Sequence, residues 1–146
     1  MLIKLLPENV TRNWDIIKPA IERGLVPIAE EGLDKMNKIL ESLLAGVIEC
    51  WVQTKETEEG TKIHSIATTQ VLHDYVSDTK SLLIYSIYNF RPMQDDDWVE
   101  NYYTLKKYAV GRGCRKIIAY SKEPAIIQLI QRLGGESELT FLTLPV

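Results

Sequence analysis

Ser81-Leu82-Leu83-Ile84-Tyr85-Ser86-Ile87-Tyr88-Asn89-Phe90-Arg91, followed by Pro92-Met93-Gln94-Asp95-Asp96-Asp97 and Trp98, is the passage on which the reading of this chain turns. Apolar side chains fill both alternating sets of its first part: Leu82, Ile84 and Phe90 on one, Leu83, Tyr85 and Ile87 on the other. Successive side chains of a strand point to opposite faces, so this strand is expected inside a sheet, covered on both sides. Trp98, Tyr102, Leu105 and Ala109 then recur at helical spacing, and predict the core stripe of a helix opening near Trp98. A strand feeding directly into a helix is a common seat for an anionic cofactor. Free N–H groups at the helix start point at the phosphates, and glycines let the backbone approach them. Here no glycine occurs between Gly60 and Gly111, and the helix start carries three aspartates.

Outward from that passage the pattern stays regular. Met1–Leu6 reads as a strand, and Val10 to Gly24 as an amphipathic helix with Trp14, Ile17 and Ile21 on one face. Asn9 or Thr11 can cap it, and Pro19 is expected to kink or restart it, because proline removes a donor and crowds the preceding turn. Leu33–Ala45 reads as a second helix stopped by Gly46. Ile48–Thr54 and Thr61–Leu72 read as a hairpin around Lys55-Glu56-Thr57-Glu58-Glu59-Gly60. Gly111 and Gly113 end the helix that follows Trp98, and Lys116–Ser121 is a short buried strand. Pro124 opens a helix that Gly134-Gly135 closes, and Leu139–Leu144 reads as a last strand. The predicted order is β-α-α-β-β-β-α-β-α-β, an α/β fold whose mixed sheet carries helices on both faces.

At 146 residues one domain spanning 1–146 is expected. The net charge of −3 argues against a general nucleic-acid or anionic-membrane binder, so neither is expected as a partner. No apolar run reaches the roughly 18 residues of a membrane span, and Met1–Leu6 is too short for a signal peptide. Cys50 and Cys114 form no disulfide framework or zinc pattern, which points to a reducing, cytoplasmic location.

The order resembles that of the GNAT N-acetyltransferase fold over essentially the whole chain. Its most specific local match is Tyr108-Ala109-Val110-Gly111-Arg112-Gly113-Cys114-Arg115-Lys116-Ile117-Ile118-Ala119-Tyr120, similar to the family's helix–glycine–strand passage. Gln131-Arg132-Leu133-Gly134 is similar to the family's next helix end. Trp14 with Ile17 and Pro19, Leu43 to Gly46, Trp51 and Trp98 resemble divergent GNAT-like proteins of bacteriophages. That narrower resemblance implies a virion-associated or host-directed setting in a bacterial cytoplasm.

The chain departs from the family's enzymes at the places that carry their chemistry. Their coenzyme A pyrophosphate sits on a Gln/Arg-x-x-Gly-x-Gly/Ala turn. The matching register here is Met93, Gln94, Asp95, Asp96, Asp97 and Trp98, so the resemblance implies a degenerate turn and no cofactor. An aspartate about 5 Å from a phosphate charge opposes it by about 3 kcal/mol at an effective dielectric near 20. The aspartates can equally serve the helix macrodipole and its free N–H groups. They do not predict a metal site, since consecutive side chains rarely converge on one ion. Ile130 stands where these enzymes often carry a general-acid tyrosine, and one strand follows the last helix where they usually have two.

No residue is assigned as catalytic. His64 and His73, with Asp74 beside the latter, are the candidate bases, and read more simply as strand-edge residues. Tyr85, Tyr88, Tyr102, Tyr103 and Tyr108 read as packing residues, Ser86 and Ser121 lack a triad context, and Lys106, Lys107, Arg112, Arg115 and Lys116 as cations suiting a helix C-terminus. The expectation is a non-catalytic GNAT-like interaction or structural module with a protein partner or a second copy of itself. The alternative is an acetyl-CoA-dependent N-acetyltransferase with an atypical cofactor turn. A further class binds another small ligand between the two central strands.

Overall fold

The structure, a computed structural model, describes residues 1–25 and 34–146. Among these residues five strands, β1 (Leu2–Lys4), β2 (Ile48–Thr57), β3 (Gly60–Asp74), β4 (Thr79–Asn89) and β5 (Cys114–Ile118), lie in that order in one sheet. The first four are antiparallel neighbours, and β5 runs parallel to β4. Among the described residues five helices accompany them: α1 (Pro7–Arg12), α2 (Trp14–Gly24), α3 (Lys35–Leu44), α4 (Asp95–Gly111) and α5 (Pro124–Arg132). This is the mixed sheet with helices on both faces that the sequence predicts, and its arrangement is GNAT-like. Leu33, the expected start of the second helix, lies outside the described residues.

Alternation along the strands sorts the core into two layers. Val10, Ile17, Ile21, Ile39 and Leu43 from α1–α3 pack on Ile48, Cys50, Val52 and Ile66. On the opposite face Leu105 and Ala109 of α4 pack with Leu2, Trp51, Ala67 and Leu82. Leu82 and Leu83 are both completely buried, one on each face, as expected of an interior strand. Cys50 is sealed in the first layer, and burial pushes its thiol up to about 12.

Four local expectations are corrected. The first helix breaks at Asn13 (φ −112°, ψ 21°) and not at Pro19. Pro19 lies on the exposed side of α2, inside a helix that runs unbroken from Trp14 to Gly24. The third helix opens at Asp95, so its inward stripe is Asp97, Asn101, Leu105 and Ala109. Trp98 and Tyr102, placed in that stripe by spacing alone, are half-buried. Finally, Leu139–Leu144 forms no strand, and Leu139, Leu142 and Leu144 are 97%, 82% and 89% exposed. The segment is β-prone, but propensity without a partner edge does not make a strand. Among the described residues no helix is long and apolar enough to cross a membrane.

Candidate functional site at the splayed strands

In open α/β sheets ligands bind in the crevice outside the carboxyl ends of parallel strands. Here that crevice lies between β4 and β5. Their pairing runs from Lys80↔Cys114 to Leu83↔Ile118 and then stops, while β4 continues to Asn89. A register shift against β3 falls where Thr68 opposes Ser86 and Thr69 opposes Ile84, leaving Tyr85 as an extra residue in β4. Such a bulge bends its strand and increases the local twist, which moves the rest of β4 away from β5.

The freed edge of β4 is covered by the chain itself. Leu25 makes an isolated antiparallel bridge to Ser86. Because Thr68 already holds Ser86 on the β3 side, this bridge uses the edge that β5 has left. Gly24 packs so closely that a Cβ there would lie 2.6 Å from the Ile87 carbonyl carbon and 3.0 Å from its nitrogen. The Arg23 guanidinium donates to the Tyr88 hydroxyl at 3.4 Å and sits 5.7 Å from that ring's centre. Three successive residues at the end of α2 thus engage three successive residues of β4. The Ser86 hydroxyl is also committed, 2.5 Å from Thr68 Oγ1 in the buried layer.

At the start of α4 the three aspartates have different roles. Asp97 faces inward, accepts Lys55 Nζ at 2.8 Å and accepts the Gln94 backbone N–H at 3.3 Å. The Lys55 hydrogen bond is the main cause holding its carboxyl below the usual range, against an opposing effect of burial. Asp95 pairs with Arg132 of α5 at 3.1 Å. Asp96 makes no ion pair among the described residues, so the turn carries much less uncompensated charge than three aspartates suggest. Met93 and Trp98 flank it, both half-buried.

The candidate bases do not gather here. His64 and His73 lie nine residues apart on β3, about 30 Å at 3.3 Å per residue. His73 meets Asp78 at 2.8 Å, whereas Asp74 accepts the Val76 N–H and the Ser77 hydroxyl, both at 2.9 Å, within the β3–β4 turn. His64 Nε2 is buried without a hydrogen-bond partner among the described residues. Of the tyrosines, Tyr85 packs under α1–α3, the Tyr102 and Tyr103 rings lie 5.2 Å apart at a tilt of 56°, and Tyr108 packs edge-on to Trp51 at 5.0 Å. Ile130 is half-buried, as expected of a packing residue.

Two features escaped the sequence reading. One is a polar row beneath α4: Gln53, Ser65 and Asn89 are cross-strand neighbours, and Gln53 is completely buried with neither amide atom paired among the described residues. The other is Glu49, which Arg112 reaches across 63 residues at 2.8 Å. Neither carries a local signal, since a single polar residue in a strand reads as its solvent face.

No protein-family model and no curated protein matches the sequence. Solved structures match the fold along the whole chain. Glucosamine-6-phosphate N-acetyltransferase from Arabidopsis thaliana is 12% identical, with a TM-score of 0.67 over 99% of this chain and 97% of that one. The aminoglycoside N-acetyltransferase AAC(6')-Iy, solved in complex with CoA, is 15% identical with a TM-score of 0.68, covering 100% and 93%. A predicted acetyltransferase with acetyl-CoA from Clostridium acetobutylicum is 16% identical with a TM-score of 0.67, covering 99% and 95%. At such identities the likeness establishes the fold: this chain has the GNAT acetyltransferase architecture. Activity has to be argued from the site.

Proposed function

We propose that this GNAT-like domain is a non-catalytic binding module that does not take up coenzyme A in the crevice between β4 and β5. One observation carries the reading: the open edge of β4 is bonded by the backbone of Leu25, with Gly24 packed onto Ile87. A ligand lying along that edge would need the backbone groups and the space that α2 already uses. The acidic start of α4 adds to this, although the pairing of Asp95 and Asp97 leaves electrostatic repulsion as the smaller effect. For the setting, the support is the resemblance of Trp14, Trp51 and Trp98 in their sequence context to divergent bacteriophage GNAT-like proteins, which suits a virion-associated or host-directed role.

A second reading is an acetyl-CoA-dependent N-acetyltransferase with an atypical cofactor turn. It is favoured by the solved neighbours with bound CoA or acetyl-CoA, which this chain matches end to end. Calorimetric titration with acetyl-CoA separates the two. The expected result is no saturable binding up to about millimolar concentration, weaker than about −4 kcal/mol. A dissociation constant in the tens of micromolar or tighter overturns the first reading in favour of the second.

A binding module acts through its surface, and the exposed apolar segment from Leu139 to Val146 is the candidate. It stays near the end of β5 through a 5.0 Å contact between the Phe141 and Tyr120 rings. Apolar side chains exposed in a row mark a surface that another chain covers. Light scattering over a concentration series is expected to show a mass above that of the monomer, rising with concentration. A strict monomer removes self-association and leaves a different protein as the partner.

A further inference from the structure

The two halves of α4 rest on unlike parts of the sheet. Its rear half is fixed by Leu105 and Ala109, which pack among Leu2, Trp51, Ala67 and Leu82, and by Arg112, which donates to Glu49 at 2.8 Å. Its front half turns Asp97 and Asn101 inward at the same spacing, and both are buried. The sheet below them is polar too. α4 runs back along β2: Lys55 meets Asp97 at one end, and Trp51 meets Tyr108 and Glu49 meets Arg112 toward the other. Gln53 falls between those contacts, under the stretch that carries Asn101, with Ser65 and Asn89 beside it across the strands.

The front half is sealed without being satisfied. Gln53 Oε1 and Nε2, Asn89 Oδ1 and Asn101 Oδ1 are shielded from solvent and have no hydrogen-bond partner among the described residues. A polar group that gives up water and gains no partner weighs against the closed arrangement by roughly tenfold in the equilibrium. Opening returns all four atoms to water and breaks no bond of theirs. The local sequence leans the same way. Asp95-Asp96-Asp97-Trp98-Val99-Glu100-Asn101-Tyr102-Tyr103-Thr104 contains one strong helix former, Glu100, whereas Leu105-Lys106-Lys107-Tyr108-Ala109 contains four.

Little opposes that opening. Among the described residues the ion pair from Lys55 Nζ to Asp97, at 2.8 Å, is the partly buried one at this end. The pairs of Asp95 with Arg132 and of the N-terminal amine with Glu100 are exposed on both sides, and surface pairs of this kind contribute little. Trp98 and Tyr102 bury only part of their rings. We propose that the front half of α4 is a hinged lid. It lifts and unwinds up to Leu105 while the rear half stays packed, carries the acidic turn with it, and uncovers Gln53, Ser65 and Asn89. The Lys55–Asp97 pair is its latch. The lid depends on the sheet beneath α4 alone, and not on whether the crevice between β4 and β5 takes coenzyme A.

Backbone amide exchange of the full chain, followed by NMR at one fixed pH, tests it. A detached stretch of about ten residues is too short to stay helical in water, so each opening exposes its amides to exchange. Residues 99–103 are expected to be at least about a hundredfold less protected than residues 105–109, which open only with the whole fold. Ala109→Gly weakens the part that stays packed. It should speed exchange of residues 105–109 about tenfold and leave residues 99–103 unchanged. Gln53→Leu combined with Asn101→Leu replaces unmet polar groups by apolar ones of similar size, and should slow exchange of residues 99–103 about tenfold. Equal protection of the two stretches in the wild type, or a parallel response of both to Ala109→Gly, would show that α4 opens as one unit and would overturn the lid. Faster exchange of residues 99–103 in the double variant would also overturn it, by showing that the buried amides hold the helix down. Where the double variant does not fold, the Ala109→Gly comparison decides by itself.

Discussion

Gly24→Ala is expected to destabilise the protein by about 3 kcal/mol, lowering Tm by roughly 10 °C. The sign is the informative part. Gly24 is the last residue of α2, and helix propensity alone favours alanine over glycine by up to about 1 kcal/mol. Against that, the added methyl would meet backbone atoms of Ile87, which cannot move aside as a flexible side chain can. Either α2 lifts from β4 or β4 shifts within the sheet, and both outcomes disturb buried neighbours such as Ile21 and Leu83. Denaturant unfolding of the variant against wild type measures the cost. A stability within about 0.5 kcal/mol of wild type, or a gain, would mean that α2 does not close the β4 edge, and the non-catalytic reading would lose its main support.

Asp97→Ala is expected to cost about 2 kcal/mol at neutral pH, because it removes both the acceptor for the Gln94 N–H and the partner of Lys55. Its pH dependence follows from the direction of the shift. The folded-state pKa of Asp97 is depressed, chiefly by the Lys55 hydrogen bond. Its contribution is therefore complete above the unfolded carboxyl value, near about 4, and is lost as pH falls through the lower folded value. The wild-type advantage over Asp97→Ala should stay constant from about pH 5 to 8 and shrink below about pH 4. Asp74 is depressed in the same direction by the Ser77 hydroxyl and the Val76 and Ser77 N–H groups, but it is present in both proteins and cancels. A difference that does not vary with pH would show that Asp97 acts by packing alone.

Trp98 shows how far spacing alone carries. Trp98, Tyr102, Leu105 and Ala109 and the observed stripe Asp97, Asn101, Leu105 and Ala109 share their last two members. An apolar count prefers tryptophan to aspartate at the first position. The structure prefers aspartate, because Lys55 of β2 stands opposite and supplies the charge that permits its burial. That partner lies 42 residues away and has no trace near α4. The same holds for Gly24. In sequence it is a helix stop, and only the approach of Ile87 gives it a second reason to be glycine.

The chain's own pattern settles the kinds and order of its elements. Alternation on both faces of Ser81–Asn89, helical spacing after Asp95, and glycines or prolines at the boundaries place nearly every strand and helix, because these signals depend on neighbours two to four residues apart. Tertiary structure decides the rest. It puts Leu25 on the edge that β5 leaves, turns Asp97 inward, joins Arg112 to Glu49, and leaves the β-prone Leu139–Leu144 without a strand to pair with. Each of these depends on which surfaces meet across tens of residues. Periodicity determines the face a side chain takes, and only packing determines what that face finds there.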